Sequence, residues 1–162
     1  MMQDLEILLK DRLKSAKRIA ILGVGSELRG DDIAGILVAQ EFNKPSKRFR
    51  SFIGGTAPEN FTGEIKKFNP THLVIVDSAD MAKSKAGAIR LIDLKDISNF
   101  SFCTHRLPLK IMADYLIKCI DCEIIIVGIQ PKTLDFGLSC SSEIKKSVKA
   151  VSRAIKKAIN GD

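Results

Sequence analysis

The sequence predicts an α/β fold, a three-layer α/β/α sandwich around a mostly parallel sheet of about five strands. Three observations predict it. Apolar runs of strand length alternate along the chain with stretches of helical period. The runs over 19–24, 73–76 and 124–129 lack the in-out alternation of a half-wet strand, as expected for strands covered on both faces. Finally, 162 residues, 45% hydrophobic and 28% charged, are enough for one domain, taken to span 1–162, with a core that needs no disulfide or metal.

The elements follow in order. Leu5, Leu8, Leu9 and Leu13 recur at helical spacing, so 4–16 reads as an amphipathic helix. Residues 18–24 read as a short apolar strand, and 33–42 as a helix stopped near Asn43 and Pro45. A strand over 49–53 leaves through Gly54 and Gly55, and 59–68 reads as a helix weakened by Gly63. The clearest buried strand is 72–76, closed by Asp77. The link from Asp77 to Ala88 offers no crossover helix, so one strand is expected to run antiparallel at an edge, with 88–92 the next strand. Pro108 opens a helix over 109–118, where its missing N–H does no harm. A buried strand over 123–129 precedes a long helix over 142–159, with Ile144, Val148, Val151 and Ile155 on one face.

The net charge of +7 comes from dispersed bases, and the densest late group, Lys145 to Lys157, reads as the wet face of the last helix. With no Trp and one Tyr, a base-stacking surface for nucleic acid is not expected. No apolar run approaches the ~20 residues of a membrane span, and residues 1–16 mix acids with bases unlike a signal peptide. A cytoplasmic location is therefore expected, with no membrane insertion and with reduced cysteines. Cys119 and Cys122 have CxxC spacing but no second pair, so they read as small apolar residues at a helix end and a strand start.

In an open α/β sheet, ligands bind beyond the carboxyl ends of the strands. That rule selects the segments after Val24, Ile53, Val76 and Ile129. Gly23 to Gly30 is glycine-rich, but its spacing is GxGxxxxG, no strand-end acid follows for a ribose, and no Gly-Lys-Ser/Thr is present. Asp31 and Asp32 would also repel a pyrophosphate. One of the two, Asp31, is expected to cap the following helix and the other to face the cleft. Asp77 ends its strand at the cleft rim, beside the first strand if the order is 2-1-3. His105 lies in the loop before the 109–118 helix, whereas His72 sits at a strand start, away from that end. Asp32, Asp77 and His105 thus form the candidate constellation. Two carboxylates and an imidazole suit a borderline metal such as nickel, zinc or copper with open positions, or an acid/base pair without metal, and the residues leave both open. Cys103 is not favoured as a nucleophile, since nothing nearby supplies an oxyanion hole.

Several segments in order resemble the hydrogenase maturation endopeptidases. They are Gly23-Val24-Gly25-Ser26 with Gly30-Asp31-Asp32-Ile33-Ala34-Gly35, Gly55-Thr56-Ala57-Pro58-Glu59-Asn60, and Val74-Ile75-Val76-Asp77-Ser78-Ala79-Asp80. Thr104-His105-Arg106-Leu107-Pro108-Leu109 and Gly128-Ile129-Gln130-Pro131 follow. The resemblance covers nearly the whole chain after Arg18 and is closest to the formate-hydrogenlyase-type branch. It implies an α/β/α sandwich in which Asp32, Asp77 and His105 are both the catalytic and the metal-contacting residues. It further implies removal of the C-terminal extension from the nickel-loaded precursor of a nickel-iron hydrogenase large subunit. The nickel would be carried by the substrate, with zinc or cadmium as surrogates in vitro, and cleavage would be aspartic-type or metal-assisted. The family usually has Asn where Ser26 stands and Gly where Ile33 stands, which implies a tighter loop around Asp32. The enzyme is expected to act as a monomer. A non-enzymatic nickel-binding accessory protein and a Rossmann-like nucleotide module are the alternatives.

Overall fold

The computed structural model describes residues 2–102 and 108–161. In chain order the elements are α1 (Met2–Leu13), β1 (Ile19–Val24), α2 (Ala34–Gln40), β2 (Phe49–Gly55), α3 (Thr62–Phe68), β3 (His72–Asp80), β4 (Ile89–Ile92), β5 (Ser101–Phe102), α4 (Leu109–Cys119), β6 (Glu123–Ile129) and α5 (Ser142–Asn160). Short 3-10 turns, Gly30–Ile33 and Pro58–Phe61, lead into α2 and α3, and a third spans Leu94–Asn99.

The sheet order is β2-β1-β3-β6-β4, and β5 extends β3. Strands β2, β1, β3 and β6 are parallel, while edge strand β4 runs antiparallel to β6. The three fully apolar runs are therefore adjacent and internal, as expected. The reason lies in the two cores. Ile21, Val74, Val76, Ile125 and Val127 face α1, α2 and α5 on one side. Leu22, Leu73, Ile75, Ile124 and Ile126 face α3 and α4 on the other. A strand apolar at successive positions buries both faces, and each buried Leu, Ile or Val side chain contributes roughly 1.5–3 kcal/mol.

The last helix keeps its predicted face: Ile144, Val148, Val151 and Ile155 are buried, and Lys145, Lys146, Lys149 and Arg153 are exposed. It ends at Gly161, left-handed at φ +76°, whose N–H donates to the Lys157 carbonyl at 3.0 Å.

Several boundaries shift by a few residues: α1 ends at Leu13 and not 16, α2 at Gln40 and not 42, β2 runs on to Gly55, and α3 begins at Thr62 after a 3-10 turn. The end of the central strand has a tertiary cause. The central strand does not close at Asp77 but runs on to Asp80. Asp77 and Ser78 pair with Gly128 and Ile129, and Ala79 pairs with Phe102. The stretch 94–102, to which the sequence assigns no element, supplies a 3-10 turn and β5, which pairs with the end of β3. Extra partner strands, invisible to local pattern, lengthened the ladder. Cys122 is buried in the α4-side core, and burial, followed by the neighbouring Asp121 and Glu123 charges, pushes its thiol up to about 12. Such a thiol stays protonated at neutral pH and packs as a small apolar residue of that core. Among the described residues, no helix is long and apolar enough to cross a membrane.

Candidate active site

The chain leaves β1 at Val24 and is pressed back onto the sheet by glycines. At Gly35 in α2, a Cβ would stand 2.1 Å from the Val76 carbonyl oxygen and 2.3 Å from that of Val24. At Gly25, with φ +147°, a Cβ would stand 1.8 Å from the Asp32 carbonyl oxygen. Only hydrogen fits at either place. Gly35→Ala is accordingly expected to lift α2 off the sheet and cost about 3 kcal/mol, read by urea denaturation; an unchanged midpoint would refute this packing.

These contacts bring Asp32 and Asp77 to the same end of neighbouring elements. The Ser78 hydroxyl donates to the Asp31 carbonyl at 3.0 Å, and Gly35 abuts Val76. Residues 31–35 therefore run along 76–78, with Asp32 and Asp77 inside that shared stretch. The register pairs Gly23 with Val76 and ends there on the β1 side, so Asp77 borders the crevice where β1 departs. Asp77 shares a sheet face with Leu73, Ile75 and Ala79, the face that α4 covers. Its partner across the ladder is Gly128, where a Cβ would stand 2.7 Å from Ile92 Cδ1. Asp31, Asp32 and Asp77 are all 0% exposed.

His105 lies outside the described residues. Of the described flanks, Phe102 pairs with Ala79, two positions beyond Asp77, and Pro108 precedes the first turn of α4. His72 sits at the opposite end of β3, with Nε2 3.4 Å from Glu123 Oε2, as the sequence suggested. Among the described residues, no group of three or more His, Cys, Asp and Glu side chains could hold a metal.

Asp31 is not the cap of its own helix. The turn Gly30–Ile33 has no side-chain cap bond. Instead its carboxylate reaches the loop after β6. Oδ2 accepts from Lys132 N at 2.8 Å, Thr133 N at 3.2 Å and Ser141 Oγ at 2.9 Å, and Oδ1 accepts from Ser141 N at 2.6 Å. Ser141 is the N-cap of α5, so the carboxylate sits at the positive end of that helix. Capping logic was right about the chemistry and wrong about the helix, because the partner is 110 residues away. The Asp31 N–H also donates to the Thr133 carbonyl at 3.0 Å. Gly30, at φ +52°, leaves room for that same carbonyl, so this glycine serves chain packing and not phosphate approach.

Gln130 was part of a recognised segment but had no assigned role. Its Oε1 accepts from Met81 N at 2.6 Å, fixing the turn that leaves β3. A polar residue just past a strand end was the available signal. Of the two departures from the family pattern, Ser26 is buried and its N–H donates to the Asp32 carbonyl at 3.2 Å. Ile33 adopts φ −73°, ordinary helical backbone that needs no glycine.

A groove of about 970 Å³ lies elsewhere. Arg18, Lys47, Arg50 and Lys67 line it at the amino ends of the strands, away from the acid pair. Its size carries less weight than the position of the buried acids, because in such sheets chemistry gathers at the carboxyl ends.

Comparison with known proteins agrees with this architecture. The hydrogenase maturation protease family model matches residues 37–159. A protein of Methanocaldococcus jannaschii assigned to the hydrogenase maturation proteases is 42% identical over 149 residues, covering 86% of this chain and 87% of its own length. The hydrogenase 3 maturation protease of Escherichia coli K12 is 39% identical over 133 residues, covering 81% and 84%. The crystal structure of a nickel-iron hydrogenase maturation protease, HycI, from Thermococcus kodakarensis superposes with a TM-score of 0.86 at 29% identity, covering 94% of this chain and 99% of that one. Sheet order, buried strand-end acids and these likenesses together place the chain in the hydrogenase maturation protease family, whose members are peptidases.

Proposed function

We propose that this chain removes the C-terminal extension from the nickel-loaded precursor of a nickel-iron hydrogenase large subunit, with the substrate's nickel as the recognition element. The observation that carries the reading is the burial of Asp32 and Asp77 on adjoining stretches at the carboxyl end of the sheet, in a chain of this family. Two carboxylates withdrawn from water in one region disfavour each other's charge, and a divalent cation relieves that cost. Asp32, Asp77 and His105 would engage nickel and release it once the peptide is cut. Peptide hydrolysis then follows by attack of a nickel-polarised water or by a carboxylate acting as base. A protein that works on a precursor before export or assembly acts in the cytoplasm, and we take it to do so as a monomer.

Incubating the chain with nickel-loaded and nickel-free precursor, read by intact mass, tests this. Only the nickel-loaded form should lose its extension. Equal cutting of both would remove nickel recognition from the reading. Nickel binding without any cutting would favour the accessory-protein alternative.

A further inference from the structure

Three large apolar side chains stand in water at the same end of the sheet as the acid pair. Leu28 is 61% exposed, Phe136 76% and Leu138 50%. They are gathered around one backbone hydrogen bond, in which Gly137 N–H donates to the Leu28 carbonyl at 2.8 Å. Gly137 has φ +82°, so the chain turns there, between Phe136 and Leu138.

Exposed apolar loops are usually tolerated because they are loose and scattered. These are neither. The loop 132–141 is held to the loop 26–32 by the Asp31 carboxylate, by Asp31 N–H on Thr133, and by Arg29 Nε on the Leu134 carbonyl at 3.3 Å. A buried charge with hydrogen bonds from three residues of one loop is a strong tether. It fixes the position of Phe136 and Leu138 relative to residue 32, the very next in the chain. Exposed apolar side chains on two loops tied together by backbone and carboxylate hydrogen bonds mark an interaction surface.

We propose that Leu28, Phe136 and Leu138 form the docking surface for an apolar stretch of the hydrogenase large-subunit precursor next to its scissile bond. The proposal rests on the substrate assigned above. The occupant follows from continuity: the loop that carries Phe136 and Leu138 is bonded to Asp31, next in the chain to Asp32, and it offers a substrate apolar contact there. The three side chains determine how firmly the precursor is held, not how fast its peptide bond breaks.

The test uses the full chain carrying Leu28→Ala, Phe136→Ala and Leu138→Ala together, with Ile7→Ala on α1, 66% exposed in the wild type, as control. KM and kcat are measured for nickel-loaded precursor, and Kd is measured by biolayer interferometry for nickel-loaded and nickel-free precursor. The triple variant should raise KM and both Kd values by about tenfold or more, with kcat within about twofold of wild type. Ile7→Ala should change neither. All replaced side chains are exposed, so folding should hold, and matched thermal midpoints check it. Unchanged KM and Kd overturn the proposal, as does a fall in kcat alone, an equal effect from Ile7→Ala, or wild-type protein that does not bind precursor. If wild type cuts nickel-free precursor as readily as nickel-loaded, the nickel reading fails while the Kd comparison still decides this one.

Discussion

Asp77→Asn is expected to reduce cleavage of nickel-loaded precursor by about a hundredfold or more while the protein stays folded. The amide matches the carboxylate in shape, and the position is fully buried between Val76 and Ser78 in the β3–β6 ladder, so the backbone register should survive. What changes is charge. A site that depends on a divalent cation brought by its substrate loses half its buried negative charge, and a site that uses Asp77 as a base loses the base. Asp32→Asn should behave alike, because Gly25 and Gly35 hold its backbone independently of the carboxylate. His105→Ala should also fall by about a hundredfold, through loss of a nitrogen ligand rather than a charge. Rates are compared at matched circular dichroism. Full activity in both Asp77→Asn and His105→Ala would remove these residues from the mechanism.

Asp31→Ala is expected to cost about 3 kcal/mol or more, lowering the thermal midpoint by roughly 10 °C. Three backbone N–H groups, of Lys132, Thr133 and Ser141, lose their acceptor at once, together with the Ser141 hydroxyl. Donors aimed at a buried carboxylate and left without an acceptor cost more than the net value of the bonds themselves. Asp31→Asn should cost about 2 kcal/mol, since one oxygen remains but an NH2 group now faces donors. An ordinary N-cap residue would cost only about 1 kcal/mol on replacement. Urea unfolding separates the two: a loss of 1 kcal/mol or less in Asp31→Ala would show that the loop after β6 finds other partners. Because that loop carries Phe136 and Leu138, the same variant should also weaken precursor binding beyond what its stability loss explains.

The central strands were legible in the sequence because burial on both faces leaves a local mark, an unbroken apolar run, in β1, β3 and β6. The missing crossover helix after β3 correctly announced an antiparallel edge strand, while the order 2-1-3 was a condition that the sheet fulfils. The strand-end rule likewise pointed to Asp32 and Asp77, since position at a carboxyl end depends on element order alone. Other features depended on pairs distant in the chain. Nothing near Asp31 says that its partners are Lys132, Thr133 and Ser141, so the sequence suggested the nearest helix and tertiary structure chose another. Nothing in 94–102 says that two residues will pair with Ala79 and Asp80 and carry β3 past Asp77. Local sequence determines which residues must be buried and with what periodicity, because side-chain hydrophobicity and backbone preference act over a few residues. Which buried polar group meets which donor is decided only when the chain closes, because hydrogen bonds select partners by distance and angle in space.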